Sequence, residues 1–225
     1  MVTSGETAGP ALVTFGHGTA SRDQIVELLQ SAGIRLVVDI RTAPGSRRVP
    51  HVARTELERW LPEAGIAYRW EKRLGGFRRA APDSPDVVWR NASFRGYAGY
   101  TRTEPFRIAL EEVLAAAARR PTAVMCAESV WWRCHRRIVA DVVMVGYGWR
   151  VVHLGHDGRL TEHVPTEGVR RRPDGLLVYD AGTLDAEPAD AEVRATPDAF
   201  ATPDAFASPD VFASPRSAGD PAPRW

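Results

Sequence analysis

Five short, almost uninterrupted apolar runs, separated by segments of helical period, constrain this chain more than any other feature. LVTF at 12–15, RLVVDI at 35–40, IAYRW at 66–70, TAVMC at 122–126 and RVVHL at 150–154 each have the length of a strand. The nearly continuous apolar character of the second run is that of a strand covered on both faces, which is the habit of parallel sheets. The intervening segments are helical. Ser21 is a good N-cap with Gln24 in the capping-box position, Ile25, Val26, Leu28 and Leu29 give an apolar face, and Gly33 stops the helix. A second helix is predicted over Thr55 to Ala64 with Thr55 as its cap, and a third over Glu104 to Arg120 with Pro105 in its first turn. A last helix runs from the CHRR stretch to about Tyr147, and a turn at 156–159 leads into a short strand from Leu160 to Val164.

Strands alternating with helices argue for right-handed crossovers. The expected fold class is α/β: a single three-layer domain with a mostly parallel, Rossmann-like sheet over residues 11–180. The segment from Glu71 to Tyr100, rich in arginine, glycine and aromatics, fits neither pattern. A connection this long in a compact domain is usually functional or a lid.

Composition changes sharply after Asp180. ATPDAF occurs twice, then ASPDVF and ASPRSA. One phenylalanine and one proline per six residues cannot bury enough apolar surface to order a chain, so 181–225 is expected to be a disordered tail. Residues 1–10 are expected to be a disordered start. They carry neither a basic nor an apolar signal region, and no apolar stretch approaches a membrane span, so the expected location is cytoplasmic with no membrane partner. Residues 181–225 hold eight acids and three arginines, which leaves the other 180 residues 26 of the 29 basic and 20 of the 28 acidic side chains. That mildly basic body permits phosphate or nucleic acid as a partner without requiring either. Oligomeric state is not legible.

Chemistry is concentrated in TAVMCAESVWWRCHRRIVA, residues 122–140, which hold both cysteines, Glu128, His135 and three of the arginines. The CAES and CHRR motifs, four residues apart, agree in order with FGHGT at 15–19, VVDIRTAPGSRR at 37–48 and LGGFRR at 74–79. In these motifs the chain resembles the domain-of-unknown-function 488 family, from about Val13 to Tyr179. The resemblance implies no reaction, since that family's name assigns none.

In an open parallel sheet, ligands sit beyond the carboxyl ends of the strands. His17, Asp39, Arg41, Cys126, Glu128, His153 and His156 all fall at such ends. Cys134 lies near a helix N-terminus between Arg133 and Arg136, where dipole and cations favour the thiolate. Cys126, Glu128 and Cys134 are therefore the catalytic candidates, with Glu128 as acid or base. His17, Asp39, Arg41, Trp132, His135, Arg136 and His153 are the substrate-binding candidates, with Arg41 and Arg136 as anion clamps. The alternative for either cysteine is a small buried hydrophobe. A phosphatase-like oxyanion loop is not indicated, because six residues without glycine separate Cys126 from Arg133. Cys126, Cys134 and a histidine could build a zinc site, but CxxC and HExxH spacings are missing, so the expectation is no metal and no cofactor.

The leading reading is a cysteine-dependent hydrolase or transferase acting on a small anionic or nucleotide-like ligand. A nucleic-acid-binding or repair-associated module would instead use the basic, aromatic 69–102 segment. A thiol redox switch between Cys126 and Cys134 is a third possibility.

Overall fold

The computed structural model describes residues 11–45 and 48–182. The expected disordered start and all but the first two residues of the expected tail lie outside the described residues. Six strands form one sheet: β1 (Ala11–Gly16), β2 (Leu36–Asp39), β3 (Ala67–Trp70), β4 (Thr122–Cys126), β5 (Arg150–Leu154) and β6 (Leu160–Glu162). Their order is β3-β2-β4-β1-β5-β6. The first five are parallel and β6 runs antiparallel to β5. This is the three-layer α/β domain with a mostly parallel sheet that the apolar runs predict.

Alternate strand residues serve opposite layers. Phe15, Val37, Ala123, Met125 and Leu154 pack under α1 (Arg22–Ser31) and α2 (Arg54–Glu63), meeting Ile25, Leu29, Leu57, Trp60 and Leu61. On the other face, Leu12, Leu36, Val38, Val124 and Val151 meet α3 (Ala92–Tyr100), α4 (Glu104–Ala117) and α5 (Arg136–Asp141), through residues such as Tyr97, Phe106, Leu110 and Ile138. Chain direction explains the division. Crossovers toward β3 place α1 and α2 on one face, and crossovers the other way place α4 and α5 on the opposite face. The helices after β1 and β4 therefore leave the same sheet edge toward opposite sides, which opens a crevice at that edge.

The Ser21–Gln24 capping box forms as predicted. Thr55 does not cap α2, which starts one residue earlier after Ala53. The preceding turn brings Arg54 N to the carbonyl of Pro44 at 2.8 Å, so a backbone oxygen takes the place of a side-chain cap. The 71–100 stretch is more ordered than its composition suggests. It holds a 3-10 turn at Lys72–Leu74 and α3, whose N-cap Asn91 accepts from Ser93 N and Phe94 N. A small hairpin, β7 (Arg170–Arg171) and β8 (Leu177–Val178), follows the sheet and was not foreseen. Among the described residues, no helix is long and apolar enough to cross a membrane.

Candidate active site

β4 is central and buried throughout, and it delivers Cys126 to the crevice. The β1–β4 ladder continues past the strands, with His17 N on Cys126 O at 3.1 Å and Gly18 N on Ala127 O at 2.9 Å. This close approach requires Gly16, where a Cβ would lie 1.9 Å from the carbonyl oxygen of Glu128. Arg136 holds the same loop from beneath, donating from Nη2 to the carbonyls of Glu128 and Ser129. The loop then makes a 3-10 turn at Trp131–Arg133 and enters α5 through Cys134 and His135.

The result is a cavity of about 670 Å3 at the strand ends. Cys126, Cys134 and His135 line it together with Arg41, Glu128 and Arg133. His135 Nδ1 stands 3.7 Å from Cys126 Sγ and 3.6 Å from Cys134 Sγ. Its other nitrogen, Nε2, donates to the carbonyl of Ile40 at 3.2 Å, and a carbonyl can only accept. That bond leaves the Nδ1 lone pair facing the two sulfurs. Tyr97 packs edge-on against the imidazole, 5.0 Å between ring centroids.

Both cysteines are buried, 8% and 5% exposed, yet they reach the cavity surface. They titrate as a pair. The two sulfurs lie side by side, which pulls Cys134 well below an ordinary thiol and, together with burial, pushes Cys126 well above it. Burial opposes the Cys134 thiolate, while the Arg136 charge favours it.

Arg41 lines the cavity, but most of its guanidinium faces away from it. Nε and Nη2 bind the Asp39 carboxylate, Nη2 also donates to Val52 O, and Nη1 donates to His17 Nε2 at 3.1 Å. Asp39 is fully buried and accepts Tyr68 OH as well. His17 Nδ1 donates to Gly18 O at 2.9 Å. Burial and the Arg41 charge lower the His17 pKa to about 4. His17 and Asp39 therefore stand behind Arg41 and do not line the cavity. Glu128 is exposed at the rim, with Oε1 accepting Val130 N–H at 3.4 Å.

Three further candidates lie outside the lining of this cavity. Arg136 is 1% exposed, serves as a strut under the loop and does not line the cavity. His153 is buried beneath Trp131, its ring stacked at 4.0 Å and 8°, because the 3-10 turn swings Trp131 toward β5. Trp132 is 53% exposed, packs edge-on to Trp131 and does not line the cavity.

The aromatic residues of the 69–102 segment are divided. Trp89 stacks on Phe94 and also packs against Tyr179, while Trp70 lies under Arg54 and donates to Arg41 O. Only Phe77, Phe94 and Tyr97 reach the cavity. The LGGFRR strap is tied over it by Tyr97 OH on Leu74 O, Tyr100 OH on Arg73 O and Thr42 Oγ1 on Gly76 O. Sequence reasoning did not single out Gly76 or Thr42. The only available signal was the double glycine beside an aromatic.

Comparison with curated proteins and with solved structures returned no match. A family model described as Domain of unknown function DUF488 matches residues 21–143, which span CAES, CHRR and the two motifs between β2 and α3, and the chain belongs to that family.

Proposed function

We propose that this protein is a thiolate-dependent hydrolase or transferase acting on a small anionic or nucleotide-like substrate in the cavity at the strand ends. The observation that supports this most is the convergence of two sulfurs and one imidazole nitrogen on the cavity wall, with His135 Nδ1 3.7 and 3.6 Å from the sulfurs. A volume of about 670 Å3 suits a ligand of nucleotide size. Among the described residues, Arg41 keeps one N–H without an acceptor and Arg133 makes no side-chain hydrogen bond, so both are available to an anion. Phe77, Phe94 and Tyr97 offer apolar walls to a planar group. Glu128, exposed at the rim, is the acid or base. The division of the other aromatics between core and surface favours a small ligand over an oligonucleotide stacked along the 69–102 segment.

The test uses the full chain, a panel of nucleoside monophosphates and phosphate esters, and peptide-resolved alkylation of both thiols. A true ligand slows alkylation of Cys126 and Cys134 together, and turnover of its reactive relative falls at least about 100-fold in Cys134→Ser. If Cys126→Ser and Cys134→Ser both turn over every substrate at the wild-type rate, the thiolate reading is wrong.

A further inference from the structure

We infer that Cys126, Cys134 and His135 form a zinc site, with the two sulfurs and Nδ1 as ligands and a fourth coordination position open to the cavity. The inference deepens the proposed function, and it rests on that reading only for the claim that the cavity is where substrate arrives.

Geometry carries it. The three donor atoms lie within 4.8 Å of one another. Zinc bonds of about 2.3 Å to sulfur and about 2.05 Å to nitrogen, set at tetrahedral angles, separate S and N by about 3.6 Å. The observed separations are 3.6 and 3.7 Å. An ion placed between these atoms would require little movement of the chain.

The surroundings match a metal ligand set. A ligating histidine commonly donates its other ring N–H to a carbonyl or carboxylate, which fixes the tautomer and orients the ring. His135 Nε2 does this with Ile40 O. Gly76 keeps the space beside the donor nitrogen clear, since a Cβ there would stand 3.2 Å from His135 Nδ1. Two thiolates and one imidazole are a soft donor set that suits zinc over calcium or magnesium. Three protein ligands with one position left over are the pattern of a catalytic site, whereas structural zinc sites close all four. Ion binding displaces the thiol protons of Cys126 and Cys134 to solvent, and the two sulfur charges balance the dication.

The sequence offers Cys126, Cys134 and a histidine as a zinc site but argues against a metal because CxxC and HExxH spacings are missing, and this inference departs from that expectation. Cys126 and Cys134 are eight residues apart, and a turn carrying two tryptophans folds the chain back to bring them together.

The experiment adds Co2+ and then Zn2+ to the full chain. Expected is one equivalent of Co2+ with thiolate-to-cobalt charge-transfer absorption, its displacement by Zn2+, and protection of both thiols from alkylation by Zn2+. The absorption is lost in Cys126→Ser and in Cys134→Ser, and His135→Gln weakens Co2+ affinity at least about tenfold. Absence of the charge-transfer band in the wild-type chain overturns the inference without reliance on any variant. So does a band that survives both serine substitutions, because the ion then sits elsewhere. If no ion binds while ligands still protect the thiols and Cys134→Ser still abolishes turnover, the enzyme reading stands and the metal site falls. If no ion binds and the thiols respond to no ligand, both fall.

Discussion

Two histidine-centred clusters flank the segment from Cys126 to Arg136. On the β5 side, Thr14 Oγ1–H donates to His153 Nδ1 at 2.6 Å, His153 Nε2–H to His163 Nδ1 at 3.0 Å, and His163 Nε2–H to Asp141 Oδ1 at 2.9 Å. Asp141 also accepts Thr166 N, Thr166 Oγ1 and Tyr179 OH. Every donor in that chain has an acceptor, all in one orientation, and the residues are 0–4% exposed. On the cavity side, His135 aims one nitrogen at a carbonyl and the other at two sulfurs that face open space. The residue types are similar. A closed hydrogen-bond chain fixes packing, whereas an open donor set retains a capacity to bind, and the difference lies in what the last atom of each network meets.

The largest expected effect breaks the closed cluster. Asp141→Ala strands His163, Thr166 and Tyr179 donors in the core, and unfolding free energy should fall by about 3–5 kcal/mol. Urea unfolding measures this. A loss below about 1 kcal/mol would mean that the network is not a structural anchor, and the contrast with the cavity side would fail.

Acid sharpens the same contrast. Burial first, then the His163 and Arg136 charges, lower the His153 pKa to about 3, and the His17 pKa is lowered to about 4. Both folded values lie below the ordinary histidine value of 6.5. The unfolded chain therefore binds more protons between those values. This part of the stability is complete above pH 6.5, is lost as pH falls, and changes by up to about 1.4 kcal/mol per pH unit for each histidine. Urea midpoints taken from pH 7 to pH 4 should fall steadily. His153→Gln should flatten the slope by about half.

The cavity side should tolerate change better. Cys126→Ser is nearly isosteric at a wall that is open on one side, so its stability cost should stay near about 1 kcal/mol while thiol chemistry is lost. A cost comparable to that of Asp141→Ala would make Cys126 a core residue first. The smallest effect is expected at Phe77, which is 88% exposed and held at φ 60 beside Gly76. Phe77→Gly relieves that left-handed backbone and should raise stability by up to about 1 kcal/mol, while weakening planar ligands that stack on the cavity rim. If both stability and ligand affinity rise, Phe77 plays no part in recognition.

Much of this was legible along the chain. Continuous apolar runs marked the strands because a strand covered on both faces leaves no room for polar alternation, and Ser21 with Gln24 marked the start of α1. Cys126, Glu128, Cys134 and His135 were legible as a cluster because they lie within ten residues, and local chemistry survives in local sequence. Asn91 as the cap of α3 was missed among arginines and glycines, since a capping residue is only a signal when an apolar period follows it. Pro44 in place of Thr55 at the start of α2 was not legible, because a backbone carbonyl from a distant turn leaves no mark in the sequence.

By itself the sequence determined which segments become strands and helices, which layer each strand residue can serve, and which stretch carries the reactive side chains. Those depend on periods of two to four residues and on neighbouring chemistry. The tertiary structure decided which of those side chains share a space. It turned Arg136 inward as a strut, buried His153 against Trp131, and set both sulfurs beside one histidine nitrogen. Those outcomes follow from the strand order, which places β4 between β1 and β2, and from turns whose direction depends on partners more than a hundred residues away.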